Sequence, residues 1–94
     1  MLGGVMHRHA VLDRAHEAVS DREKSYGSPK DNFGRLAAIA NVILADKLNQ
    51  PLNAMDIGML KAAMKLARLI ETPGHIDSAV DLAGYAALLS ELGE

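Results

Sequence analysis

Residues 59 to 85 read MLKAAMKLARLIETPGHIDSAVDLAGY, and this stretch decides the fold. A helix bearing Lys61, Lys65 and Arg68 breaks at Thr72-Pro73-Gly74, where proline cannot continue it and glycine accepts the turn that follows. A second helix opens at His75-Ile76-Asp77 and carries Asp81 and Tyr85. At about 3.6 residues per turn, Lys61, Lys65 and Arg68 fall on one stripe, and Asp77, Asp81 and Tyr85 on another. The short connection folds the two helices back on each other, so cations and carboxylates meet across one seam. Such a seam suits a phosphate, with or without a divalent metal. It equally suits a plain interhelical salt bridge.

Working outward, residues 5 to 24 read as the first helix. Met6, Val11, Leu12, Ala15, Ala18 and Val19 give the apolar rhythm, and the polar run from Asp21 to Ser25 ends it. Ser28 is a natural N-cap, Pro29 suits the first helical position and Asp31 the third, so a second helix is expected over 29 to 48. Its apolar face carries Phe33, Leu36, Ala37, Ile39, Ala40, Ile43 and Leu44, and Asn49-Gln50-Pro51 stops it. Asn53 with Asp56 repeats the capping pattern and predicts a third helix over 54 to 71, with Ile57, Leu60, Met64, Ala67 and Ile70 facing inward. The fourth is expected over 77 to 92, where Ala79, Ala83, Gly84, Ala86 and Ala87 permit close approach. The expectation is an all-α fold in one domain, an up-and-down bundle of four helices. So short a chain with such wide apolar faces also predicts a homo-oligomer, at least a dimer.

Composition narrows the function. Net charge is -2 with acids and bases interspersed, so no basic field exists to hold a nucleic-acid duplex. Zero cysteines exclude thiolate metal sites and a disulfide framework, and are compatible with a cytoplasmic protein. The start of the chain is too short and broken for a signal sequence, and no apolar run approaches a membrane span. Ala and Leu dominate, and the aromatic residues are Tyr26, Phe33 and Tyr85 alone.

Few residues can carry chemistry. His7, His9 and His16 lack the spacing of a metal-ligand pair. His75 precedes a helix whose free amides favour anions, which makes it either a loop-ordering hydrogen bonder or a ligand contact. Asp81, flanked by Val80 and Leu82, is read as partly buried and therefore paired. Its partner is Lys65 or Arg68 in a structural bridge, or a magnesium ion holding a substrate's phosphates.

Three separated motifs then suggest relatives. Tyr26-Gly27-Ser28-Pro29 with Asn32-Phe33, Lys65-Leu66-Ala67-Arg68, and the run from His75 through Asp77-Ser78 and Asp81-Leu82-Ala83-Gly84-Tyr85-Ala86 resemble a small helical family of unknown function common in phages and prophages. That family is in turn similar to the MazG-like all-alpha nucleoside triphosphate pyrophosphohydrolases. The resemblance implies a nucleotide or other phosphate-bearing ligand, magnesium on Asp77 and Asp81, catalysis by those carboxylates with Lys65, and substrate contacts from Tyr26, Asn32, Lys61, Arg68, His75 and Tyr85. The chain lacks the Glu-Glu-x-x-Glu cluster and the Glu-x-x-Asp pair of classical members. Two function classes follow: a magnesium-dependent pyrophosphohydrolase, and a phage nucleotide-binding or interaction protein that keeps the scaffold without turnover.

Overall fold

A computed structural model describes residues 7–93, and among them it contains four helices and no strand: α1 (Arg8–Tyr26), α2 (Pro29–Ile43), α3 (Ala54–Glu71) and α4 (Ile76–Leu92). The expected all-α class is what is found. Each helix start is built by a residue of the right type. Ser28 Oγ accepts the Asp31 amide at 3.2 Å with Pro29 behind it. Asn53 and Asp56 exchange side-chain to backbone bonds, both at 2.9 Å, in a full capping box.

The helix ends depart from expectation in two places. α1 runs on to Tyr26, two residues further, and stops where Gly27 takes φ 76 and donates its amide to the Glu23 carbonyl. The expected start at Val5 and the role of Met6 lie outside the described residues. α2 ends at Ile43 rather than near residue 48, because Asn41 captures the chain before the proline can. Its amide donates to the Leu52 carbonyl at 2.9 Å and its oxygen accepts the Leu52 amide at 2.7 Å. That pair of bonds pins the connection over 44–53 and sets where α3 begins.

α3 and α4 form an antiparallel hairpin, since a Cβ on Gly58 would meet Leu89 at 2.7 Å while Lys65 reaches Asp81 further along. α1 runs beside α4 in the same direction: Arg14 meets Asp77, and a Cβ on Gly84 would stand 3.5 Å from Val19. α2 lies against the open end of the hairpin, where Phe33 and Ala37 join Ile57 and Leu88 in the core. The expected up-and-down order is therefore not what these contacts describe. A two-residue link at Gly27-Ser28 redirects the chain without folding α2 back along α1.

The larger correction concerns α3. Ile57 is buried as expected, but Leu60, Met64 and Ile70 are 54%, 68% and 82% exposed, and Ala67 is exposed too. On α2, Ile39 and Ile43 likewise face solvent, with Val42 beside them. The side of α3 that faces the other helices carries Lys61 and Lys65, both half-buried. α2 and α4 pack against that polar side, so among the described residues no element covers the apolar side of α3.

The core is consequently small: Ala15, Phe33, Ala37, Ile57, Val80 and Leu88 are its buried hydrophobic residues among those described. Phe33 is the one large side chain with no exposed surface, and it touches both arms of the hairpin. No helix among the described residues is long and apolar enough to cross a membrane. Phe33→Ala is expected to cost about 3–5 kcal/mol in urea denaturation followed by helical circular dichroism, most of the stability of so small a domain. A loss under about 1 kcal/mol would mean that the core lies elsewhere.

Candidate anion-binding site

One cleft is lined by α1 and α4, and side chains of α2 and α3 stand beside it. From α1 comes Arg22, which the polar run at the helix end had hidden in the sequence. Its guanidinium sits 4.8 Å from the Tyr26 ring centroid, 4.9 Å from Phe33 and 5.9 Å from Tyr85, and it donates to the Asn32 oxygen at 2.6 Å. Flat guanidinium on ring faces is a favourable cation–π geometry. These contacts fix the charge in place without neutralising it.

From α3 come Lys61 and Lys65, one turn apart on the stripe that faces α4. Lys61 Nζ lies 6.0 Å from the Phe33 ring centroid, on the same aromatic group that holds Arg22. From α4 comes Asp81, whose carboxylate meets Lys65 at 3.0 Å. Asp81 lines a cleft that opens to solvent together with Arg22, Gly84 and Tyr85. One carboxylate thus stands near three cations, paired with Lys65 and lining the same cleft as Arg22.

The imbalance registers on Lys61. Burial first, then the Arg22 guanidinium, then the Lys65 ammonium hold its pKa below the ordinary lysine value of 10.5. An anion beside these groups would offset the two repulsions and favour the charged form of Lys61. Positive charge concentrated beyond the available counter-charge is the arrangement expected of an anion site.

The other expected residues divide. Asn32, Lys61, Lys65, Asp81, Tyr26 and Tyr85 are brought together around Arg22. Arg68 is exposed and makes no ion pair among the described residues. His75 is the N-cap of α4, its Nδ1 accepting the Ser78 amide at 3.3 Å and lying 2.8 Å from Ser78 Oγ, so of its two readings the ordering role is the one seen. Asp77 turns away from Asp81 to Arg14 of α1, at 3.1 Å with both side chains largely exposed. The two carboxylates share a stripe of α4 yet face opposite neighbours.

That division bears on magnesium. No group of three or more His, Asp or Glu side chains that could hold a metal ion exists among the described residues. A cation bound at Asp81 would have to displace the Lys65 ammonium and sit beside Lys61 and Arg22. The donor set therefore does not fit a metal held by the protein itself.

What this assembly defines is a small all-helical domain with a cationic, aromatic-lined cleft. The chain belongs to the family described as Domain of unknown function (DUF6378), whose model matches residues 10–93. It is 31% identical over 86 residues to the Gene 55 protein of Mycobacterium phage D29 and 31% identical over 84 residues to the Gene 55 protein of Mycobacterium phage L5. These alignments cover 90% and 88% of this chain but 54% and 52% of the phage proteins, so the chain spans about half the length of the curated relatives it matches. No solved structure matches it. The expected resemblance to a small phage-type family is thus found.

The Lys65–Asp81 bridge is 31% and 40% exposed at its two side chains, so solvent screens it. A double-mutant cycle with Lys65→Met and Asp81→Asn is expected to give a coupling of roughly 0.2–1 kcal/mol in thermal or urea unfolding, the range of exposed pairs. A coupling of about 3 kcal/mol or more would mark a buried, structural bridge instead.

Proposed function

We propose that this domain binds a phosphate-bearing small molecule, a nucleotide, in the cleft of Arg22, Lys61, Lys65 and Asp81, and binds it without hydrolysing it. The observation that carries this reading is the excess of charge: three cations from two helices aimed past a single carboxylate. Arg22 is preset by Asn32 and three rings, so little side-chain freedom is lost when its remaining donors meet an oxyanion. Lys61 supplies a charge that burial and its two cationic neighbours disfavour and that an anion would offset. The Tyr26 ring is 54% exposed beside Arg22 and offers a face on which a base can stack.

The choice against turnover rests on the carboxylates. Phosphoryl-bond hydrolysis of the MazG-like kind needs several acidic oxygens facing one metal, and here Asp77 and Asp81 are engaged by different cations on different helices. Magnesium reaching this cleft would arrive on the ligand's own phosphates. Sequestering a nucleotide requires the cations and the ring, and both are in place.

This reading separates stability from binding at Lys61. Because its folded pKa lies below the unfolded value of 10.5, protonated Lys61 disfavours the fold at all lower pH, and that penalty is relieved only as pH rises from the folded value toward 10.5. Lys61→Met is therefore expected to hold or raise the melting temperature at pH 7 while abolishing ligand response. The test is a thermal-shift panel of inorganic phosphate, pyrophosphate and nucleoside mono-, di- and triphosphates, with and without magnesium, followed by pyrophosphate release on any ligand that shifts. Stabilisation that grows with phosphate number and is lost in Lys61→Met and Arg22→Met supports the proposal. No shift with any of them contradicts it, and pyrophosphate release by the wild-type chain but not by Asp81→Asn would restore the hydrolase reading.

A further inference from the structure

α3 presents its faces in the reverse of the usual order. At about 100° per residue, Lys61 and Lys65 stand roughly 40° apart on the side turned to the other helices, and Arg68, roughly 20° beyond Lys61, is exposed. The opposite side carries Met59, Leu60, Ala63, Met64, Ala67 and Ile70, all exposed, within an arc of roughly 140°. Its charged residues on that side, Asp56 and Glu71, stand at the two ends of the helix, and Asp56 is occupied with capping. Leu60, Ala63, Ala67 and Ile70 follow the three-four-three spacing by which one helix seats another. A helix apolar on its outward side as well as hydrophobic at Ile57 and Leu69 is a helix meant to be covered.

We infer that a second copy of this chain covers it, with α3 packing on α3 of the partner about a two-fold axis close to Ala63 and Ala67. Two observations choose that occupant. Eight large aliphatic side chains on α3 and the C-terminal half of α2 are at least half exposed, enough to supply a share on the order of the 800 Å² that each partner gives to a standard stable interface. Ten large hydrophobic side chains are at least half exposed among the described residues, against six hydrophobic residues buried, so cover on this side adds stability to the domain. A second copy is the partner that is present whenever the chain is made. Ala63 and Ala67 at the centre let the two backbones approach closely, and the absence of central charge leaves nothing to repel across a two-fold axis. The inference is independent of the ligand reading, because the cleft cations lie on the other side of α3.

The test uses the whole chain at micromolar concentration. Sedimentation equilibrium is expected to give twice the 10.0 kDa chain mass. Ala67→Arg, which places charge at the centre of the seam, is expected to weaken association by about two orders of magnitude while leaving the helical signal intact. Ala86→Arg, the same change on an exposed position of α4, is expected to leave it unchanged. The chain has no cysteine, so single cysteines report proximity cleanly. Ala63→Cys or Ala67→Cys is expected to form a covalent dimer under mild oxidation well ahead of Ala86→Cys, a readout that stands even if Ala67→Arg does not fold. A wild-type monomer at these concentrations overturns the inference. So does a dimer that Ala67→Arg leaves intact and whose cysteines link no faster at positions 63 and 67 than at 86.

Discussion

The guanidinium of Arg22 touches three helices at once: its own α1 through Tyr26, α2 through Asn32 and Phe33, and α4 through Tyr85. Phe33, the residue with no exposed surface, is also within 6.0 Å of the Lys61 ammonium of α3. One aromatic side chain is thus the floor of the core on one side and the support for two cations on the other. Packing and charge placement are the same contact here. Whatever holds Phe33 against Ile57 and Leu88 also holds Arg22 and Lys61 where an anion would meet both.

Cations gathered in this way oppose folding. Lys61 is held below its ordinary pKa by burial and by its two neighbours, and Asp81 offsets only part of the charge because Lys65 already engages it. A chain with so few buried side chains has little stability to spend on an unbalanced cluster, and a surface selected only for solubility would spread these charges apart. The cluster makes physical sense as a site completed by an oxyanion. The exposed apolar side of α3 belongs to the same economy: the helix turns its polar stripe inward to build the cleft, and its apolar stripe is left to be covered from outside.

Much of the local structure was legible in the sequence. Ser28-Pro29 with Asp31, Asn53 with Asp56, and the break at Pro73-Gly74 each carry their own physical reason and sit where expected. The pairing of Lys65 with Asp81 was also legible, since helical spacing and a short connection bring them to one seam. Direction of packing was not. Periodicity alone assigns the apolar side of a helix to the interior, and α3 reverses that assignment because α2 and α4 both pack on the side that carries its lysines. Arg22 was missed for a related reason: inside Asp21-Arg22-Glu23-Lys24 it looks like any solvated charge, although its spacing of four from Tyr26 was a sign that it could lie on a ring. Asp77 was grouped with Asp81 by spacing, and only the placement of α1 with its Arg14 divides them.

The chain belongs to a family of unknown function, and the function proposed for it rests on the cleft. The most direct measurement is calorimetric titration of the chain with a nucleoside triphosphate at a series of pH values from 7 up to the ordinary lysine value of 10.5, carried out in two buffers of different ionisation enthalpy. Bound phosphate raises the lowered Lys61 pKa, so the complex takes up protons, the apparent heat depends on the buffer, and the dependence vanishes with binding in Lys61→Met. Binding without proton uptake would place the ligand away from Lys61, and no heat at millimolar ligand in either buffer would contradict the anion site altogether.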